Sequence, residues 1–103
     1  MIFDDDKKSY TLETPAGKKI VLDEDAKLMK LEDENGNKII LNSDGITIES
    51  SKAIKMKATT DFTVEAVNVE IKASASLKAE GSASAELKAS GTMTIKGGLV
   101  QIN

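Results

Sequence analysis

From Ile46 onward, apolar residues come in pairs that flank a single polar residue, and the pairs recur about every eight positions. The pairs are Ile46/Ile48, Ile54/Met56, Phe62/Val64, Val69/Ile71, Leu77/Ala79, Ala85/Leu87, Met93/Ile95 and Val100/Ile102. Their first members stand 8, 8, 7, 8, 8, 8 and 7 residues apart. Apolar-polar-apolar alternation is the period-2 mark of a strand with one buried face. Each triplet is too short to bury that face alone, so the units must stack on copies of themselves. The pattern predicts a β-solenoid.

The residues between and after the pairs agree. The middle positions are Thr47, Lys55, Thr63, Glu70, Lys78, Glu86, Thr94 and Gln101; the following ones are Glu49, Lys57, Glu65, Lys72, Glu80, Lys88, Lys96 and Asn103. None is apolar, although 40% of the chain is hydrophobic, so these positions are expected to face water. The linking segments, such as Ala73-Ser74-Ala75-Ser76 and Gly81-Ser82-Ala83-Ser84, are small, and tight corners are expected there. Two other readings compete. Ala73–Ser90 is rich in helix formers, but Leu77 and Leu87 lie ten apart with Gly81 between them, so no 3.6-residue stripe forms. A disordered, stress-protective chain would share the Lys, Ala and Glu content, but disorder has no need of eight triplets in register.

The preceding segment alternates at a wider spacing. Strands are expected at Tyr10–Thr14, Lys18–Asp23, Leu28–Glu32 and Lys38–Asn42, with Ile20/Leu22, Met29/Leu31 and Ile39/Leu41 as same-face pairs. Pro15-Ala16-Gly17 is a turn, and Asn35-Gly36-Asn37 suggests a type I′ hairpin, because Asn-Gly suits positive φ. The expected organisation is a flexible lead-in over residues 1–9, a β-structured collar over 10–43 and a tighter octad shaft over 44–103, with Ser43-Asp44-Gly45 at the change.

Composition narrows function. The 103 residues amount to one domain or a fragment of one. They hold three aromatics, and much of the apolar content is Ala, so a single copy has little core with which to offset its ordering entropy. Without Cys or His, neither disulfides nor structural zinc can compensate, and oligomerisation is the expected remedy. The same absence removes Ser-His and Cys-His chemistry, and no phosphate-binding or metal-binding motif occurs, so no enzymatic activity, cofactor or small-molecule substrate is expected. The net charge is -3, and the lysines of the second half are spread out, a poor pattern for binding nucleic acid. No apolar run spans a bilayer, and the acidic start does not suit a signal peptide.

An octad fully extended covers at most about 28 Å, too short for a closed single-chain coil but long enough for one face of a three-sided prism. Three chains wound together would bring the apolar pairs to a common axis. The expected trimer core is Ile46, Ile48, Ile54, Met56, Phe62, Val64, Val69, Ile71, Leu77, Leu87, Met93 and Ile95. The chain ends on Gly97-Gly98-Leu99-Val100-Gln101-Ile102-Asn103 without a polar cap, so this tip is expected to dock another protein.

Three stretches carry a family resemblance: Thr14–Asp23, the stretch Glu34–Ile48 with its Asn35-Gly36-Asn37-Lys38-Ile39 element, and the octads with their Ile95–Asn103 ending. From about Tyr10 the chain resembles the C-terminal needle of contractile-injection spikes, namely the VgrG proteins of type VI secretion and the central spikes of phage-tail baseplates. The resemblance implies a homotrimeric intertwined triple-stranded β-helix, or β-prism. It further implies a membrane-puncturing role with transient contact to the target membrane, and a PAAR-repeat tip protein on the C-terminal end. Such a needle would be made in the cytoplasm and then injected without a signal peptide, or be carried in a phage virion tail. The family's large N-terminal hub is missing from this sequence. A receptor-binding tail fibre or adhesin is the competing function for a trimeric solenoid, but no enlarged tip or aromatic sugar platform is present.

Overall fold

The computed structural model describes the backbone of Ile2–Asp4 and all of residues 8–103. Among these residues there is no helix. Six strands form one antiparallel sheet in chain order: β1 (Ile2–Asp4), β2 (Ser9–Glu13), β3 (Lys19–Asp23), β4 (Leu28–Glu32), β5 (Lys38–Asn42) and β6 (Gly45–Glu49). The four strands expected in the collar are present within a residue or so of their expected ends. Ile2–Asp4 falls in the stretch read as a lead-in, yet it pairs with β2 through Ile2↔Thr11; residues 1 and 5–7 of that stretch lie outside the described residues. The first octad triplet, Ile46-Thr47-Ile48, belongs to β6, so the sheet runs past the Ser43-Asp44-Gly45 change.

The meander is built from one hairpin used twice, nineteen residues apart. Leu12-Glu13-Thr14-Pro15-Ala16-Gly17-Lys18-Lys19-Ile20 aligns with Leu31-Glu32-Asp33-Glu34-Asn35-Gly36-Asn37-Lys38-Ile39. Each loop closes in the same way. The Thr14 N–H donates to the Lys18 carbonyl at 2.9 Å, and the Asp33 N–H to the Asn37 carbonyl at 3.1 Å. The first side chain of each loop also accepts from the fifth N–H: Lys18 N to Thr14 Oγ1 at 3.2 Å, Asn37 N to Asp33 Oδ1 at 3.1 Å. In both, the residue before the closing position is a glycine at positive φ, +108° at Gly17 and +88° at Gly36. Asn35 is not at positive φ, so the expected type I′ turn is corrected. The loop is a longer one in which a single left-handed glycine suffices. At the opposite edge, Asp23 Oδ1 accepts from Ala26 N and Asn42 Oδ1 from Asp44 N, each at 2.9 Å, the usual work of Asx side chains in turns.

The chain falls into two units, Met1–Thr63 and Val64–Asn103. The first unit holds the meander and, after it, the first residues of the repeat. Where β6 ends, Ser50 and Ser51 are clamped to the Asn35–Asn37 loop. Ser51 Oγ donates to the Asn35 carbonyl at 2.7 Å, Ser51 N to the Gly36 carbonyl at 3.2 Å, and Ser50 Oγ to Asn37 Oδ1. Beyond Ser51, no described residue makes a backbone hydrogen bond to another segment of the chain.

From Ser51 to the end, each octad consists of chain without strand pairing interrupted by bends. They begin at Ser51, Thr59, Val67, Ser74, Ser82, Ser90 and Gly98, in steps of 8, 8, 7, 8, 8 and 8 residues. The backbone therefore carries the period read from the side chains, including one short step. Bends are not reserved for small residues, however. Lys52, Val67 and Leu99 also occupy them, and Val67 is 99% exposed within one copy.

Candidate assembly interface

Within the meander, alternation puts every apolar pair on one face, and the strand register aligns the pairs into two rows. One row runs Tyr10, Leu22, Met29, Leu41, Ile46; the other runs Leu12, Ile20, Leu31, Ile39, Ile48. All ten side chains are exposed, from 37% at Leu41 to 70% at Ile46. The opposite face is the better covered one. There Thr11, Val21, Lys30 and Ile40 are aligned and half-buried. Directly opposed charges stitch that face: Lys19 to Glu32 at 3.6 Å and Lys38 to Glu49 at 3.5 Å, with Lys30 reaching Glu32 at 3.7 Å. A sheet whose apolar face is bare and whose charged face is covered is half of an interface.

The repeat tells the same story. Ile54, Met56, Phe62, Val64, Val69, Ile71, Leu77, Leu87, Met93 and Ile95 are all exposed within the single chain, the least so being Met93 at 43%. Outward positions pair along the strand instead, Glu70 with Lys72 at 2.7 Å and Glu86 with Lys88 at 2.6 Å. Residues i and i+2 share a face of extended chain, so these contacts put the charges on one side and the apolar pairs on the other. No described hydrophobic residue is buried, and the chain exposes 10180 Å². A folded monomer of 11.0 kDa exposes about 5,600 Å². The surplus includes the apolar faces that folding leaves uncovered within one copy.

The expected core residues Ile46 and Ile48 end the two meander rows, where they adjoin Leu41 and Ile39. The rest of that list lies in the bending segments. Sequence reasoning omitted Tyr10, Leu12, Ile20, Leu22, Met29, Leu31, Ile39 and Leu41 from the interface. Their same-face pairing was visible, but only cross-strand register joins them into a continuous surface with Ile46 and Ile48. At the tip, Gly97–Asn103 are exposed, with a bend at Gly98-Leu99.

The loops beside the Ser50–Ser51 clamp perturb three charged groups. Hydrogen bonds from the Asn37 side chain and backbone, and from Asn35, lower the Asp33 carboxyl to about 2. Lys18 Nζ meets Glu34 Oε1 at 2.8 Å, linking the two equivalent hairpin loops; that bond raises the lysine and lowers the glutamate. These groups are fixed as structural ties. No cluster of three or more metal-type ligands occurs among the described residues, and none of those residues forms a helix long and apolar enough to cross a membrane.

No curated protein sequence matches the chain. A family model does, over residues 9–103, and it describes the phage baseplate V C-terminal trimerisation domain. The match takes in both the meander and the repeat. Trimerisation is the operation demanded by apolar faces left bare on the six-stranded sheet and on every octad. The chain belongs to the phage baseplate V C-terminal trimerisation domain family, a homotrimer-forming part of a tail-spike assembly.

Proposed function

We propose that three copies wind into an intertwined triple-stranded β-helix that acts as the membrane-puncturing needle of a contractile injection machine. The carrying observation is the backbone bend every seven or eight residues, with uncovered apolar pairs between bends and, beyond Lys52, no hydrogen bond among the described residues to satisfy that backbone. Such a backbone needs ladder partners from other copies. Stacked strands are about 4.8 Å apart, so eight octads would rise about 38 Å, with hydrogen bonds running along the axis. A closed prism of this kind has no lateral edge and resists axial load. Its Lys, Glu and Thr exterior would contact a lipid bilayer without lasting affinity for it. The role is mechanical and not catalytic.

In this reading the Gly97–Asn103 segments of three copies end together as a small threefold platform, on which a PAAR-repeat protein of the VgrG or tail-spike kind would seat. The family supports a phage-tail baseplate as the parent machine, and a type VI secretion spike is built to the same plan. The protein would leave the cytoplasm with the fired machine or reside in the virion tail. Sedimentation should give three times 11.0 kDa, and a pull-down should capture a PAAR-repeat protein. Deleting Leu99–Asn103 should abolish the capture and leave the trimer intact. A monomer would refute the needle, and capture by the truncated trimer would refute the tip.

A further inference from the structure

The repeat has a weakness as an assembly code. Octads resemble one another, so sliding one chain by a whole unit against its neighbours still places apolar pairs inward and charges outward. Where the pattern repeats, register is weakly specified. Nor does the repeat hold itself in place within one copy, since beyond Ser51 the described residues make no backbone bond to another segment. The meander differs on both counts. It is closed by its own strand pairs, and its rows are short, Tyr10, Leu22, Met29, Leu41 and Ile46 in one and Leu12, Ile20, Leu31, Ile39 and Ile48 in the other, so a slip by the nineteen-residue repeat would unpair two of the five positions in each row and set Tyr10 in the place of Met29. It is also fastened to the start of the repeat by the Ser50–Ser51 clamp on the Asn35–Asn37 loop.

We propose that the apolar face of the meander docks the two other copies of this chain first, and so sets the register in which the octads then close. The occupant is a second and third copy for two reasons. The surface left exposed is nearly twice that of a folded monomer of this mass, and the family match names trimerisation and takes in the meander. Local contacts form before non-local ones in folding, because they close shorter loops. Hairpins within one chain therefore precede a shaft whose ladder partners are all on other chains. The clamp carries the register across: with Ser51 held to Asn35 and Gly36, the first octad after the sheet starts from a fixed point in every copy.

This inference rests on the homotrimer, and the experiment separates the two. Refolding of the full chain is followed against concentration for wild type, Leu31→Ala and Ile71→Ala. Leu31 lies at the centre of a meander row and Ile71 in the fourth octad. Leu31→Ala should slow assembly by more than about tenfold, whereas Ile71→Ala should leave that rate within about twofold and speed dissociation instead. Register is read separately by spin labels on Thr63→Cys, which adds the only cysteine. Label separations should be single-valued in the wild-type background and should broaden in Ser51→Ala, which leaves both apolar faces intact. Wild type sedimenting as a monomer would overturn the trimer itself. A trimeric wild type whose assembly is slowed by Ile71→Ala and not by Leu31→Ala, or whose label separations ignore Ser51→Ala, would overturn the meander's role alone.

Discussion

At Gly36, beside the clamp, the fold leaves no room for even one carbon. A Cβ built there meets Ser51 Oγ at 2.6 Å and Ser51 Cβ at 3.0 Å, and the backbone is at φ +88°. Gly36→Ala therefore carries two penalties. Left-handed backbone costs a residue with a Cβ about 1–2 kcal/mol. The Ser51 hydroxyl must also swing away, losing its 2.7 Å bond to the Asn35 carbonyl, worth about 0.5–1.5 kcal/mol. Lower entropy in the unfolded chain offsets about 0.4–1 kcal/mol. The net loss is about 1–2.5 kcal/mol per chain, and three times that per trimer. The internal repeat supplies the control. Gly17 occupies the equivalent place at φ +108°, but its added Cβ meets only Glu34, with Cβ at an ordinary 3.4 Å. Gly17→Ala should suffer the backbone penalty without the collision. Denaturant unfolding at fixed protein concentration, followed by circular dichroism with sedimentation checks, should rank wild type above Gly17→Ala and that above Gly36→Ala. In a Ser51→Ala background the gap between the glycine variants should narrow, a coupling of about 0.5–1.5 kcal/mol, with only the contact to the retained Cβ left. Equal losses at Gly17 and Gly36 with serine present would refute the claim that the clamp, and not the turn alone, requires glycine.

The trimer should resist heat and SDS, with a light-scattering mass three times 11.0 kDa; dissociation in mild detergent would count against the axial ladder. Ile54→Asp should cost several kcal/mol by setting three carboxylates around one level of the axis, while Lys55→Asp changes little; equal sensitivity in thermal unfolding would mean the alternation is misassigned. Asp33 is held near 2 in the fold against an ordinary 3.8, chiefly by Asn37. Its contribution to stability is thus complete above about pH 4 and is lost as pH falls through 2. A carboxyl NMR titration with a midpoint near 4 would contradict the loop geometry.

Much of this molecule is legible in its residues. The octads predicted a chain bending at a nearly fixed interval, and the backbone bends in that interval, including the short step at Val67–Ser74, though the second short spacing, Met93 to Val100, falls where the bends stand eight apart. Val67 itself was harder to read. A valine looks like a core residue, and only the coordinates place it at a bend with no neighbour covering it within one copy. The turn at Asn35-Gly36 was visible, but its type was not, because the Asp33 side chain takes hydrogen bonds from Asn35 and Asn37 and favours a longer loop. The nineteen-residue repeat was present in the sequence as Leu-Glu, five intervening positions with a glycine fourth, and Lys-Ile. It became conspicuous once the two loops were seen to close with the same bonds.

The sequence by itself determined which side chains face the same way, since a period of two is a property of any extended chain. It also determined that one copy cannot bury them, because too few large apolar residues are present. Which strands lie beside which was decided only in three dimensions. Register between β2 and β6 gathers five separate pairs into two continuous rows, and the Ser50–Ser51 clamp fixes where the repeat begins. Both depend on residues far apart along the chain, and local alternation cannot encode where such residues meet.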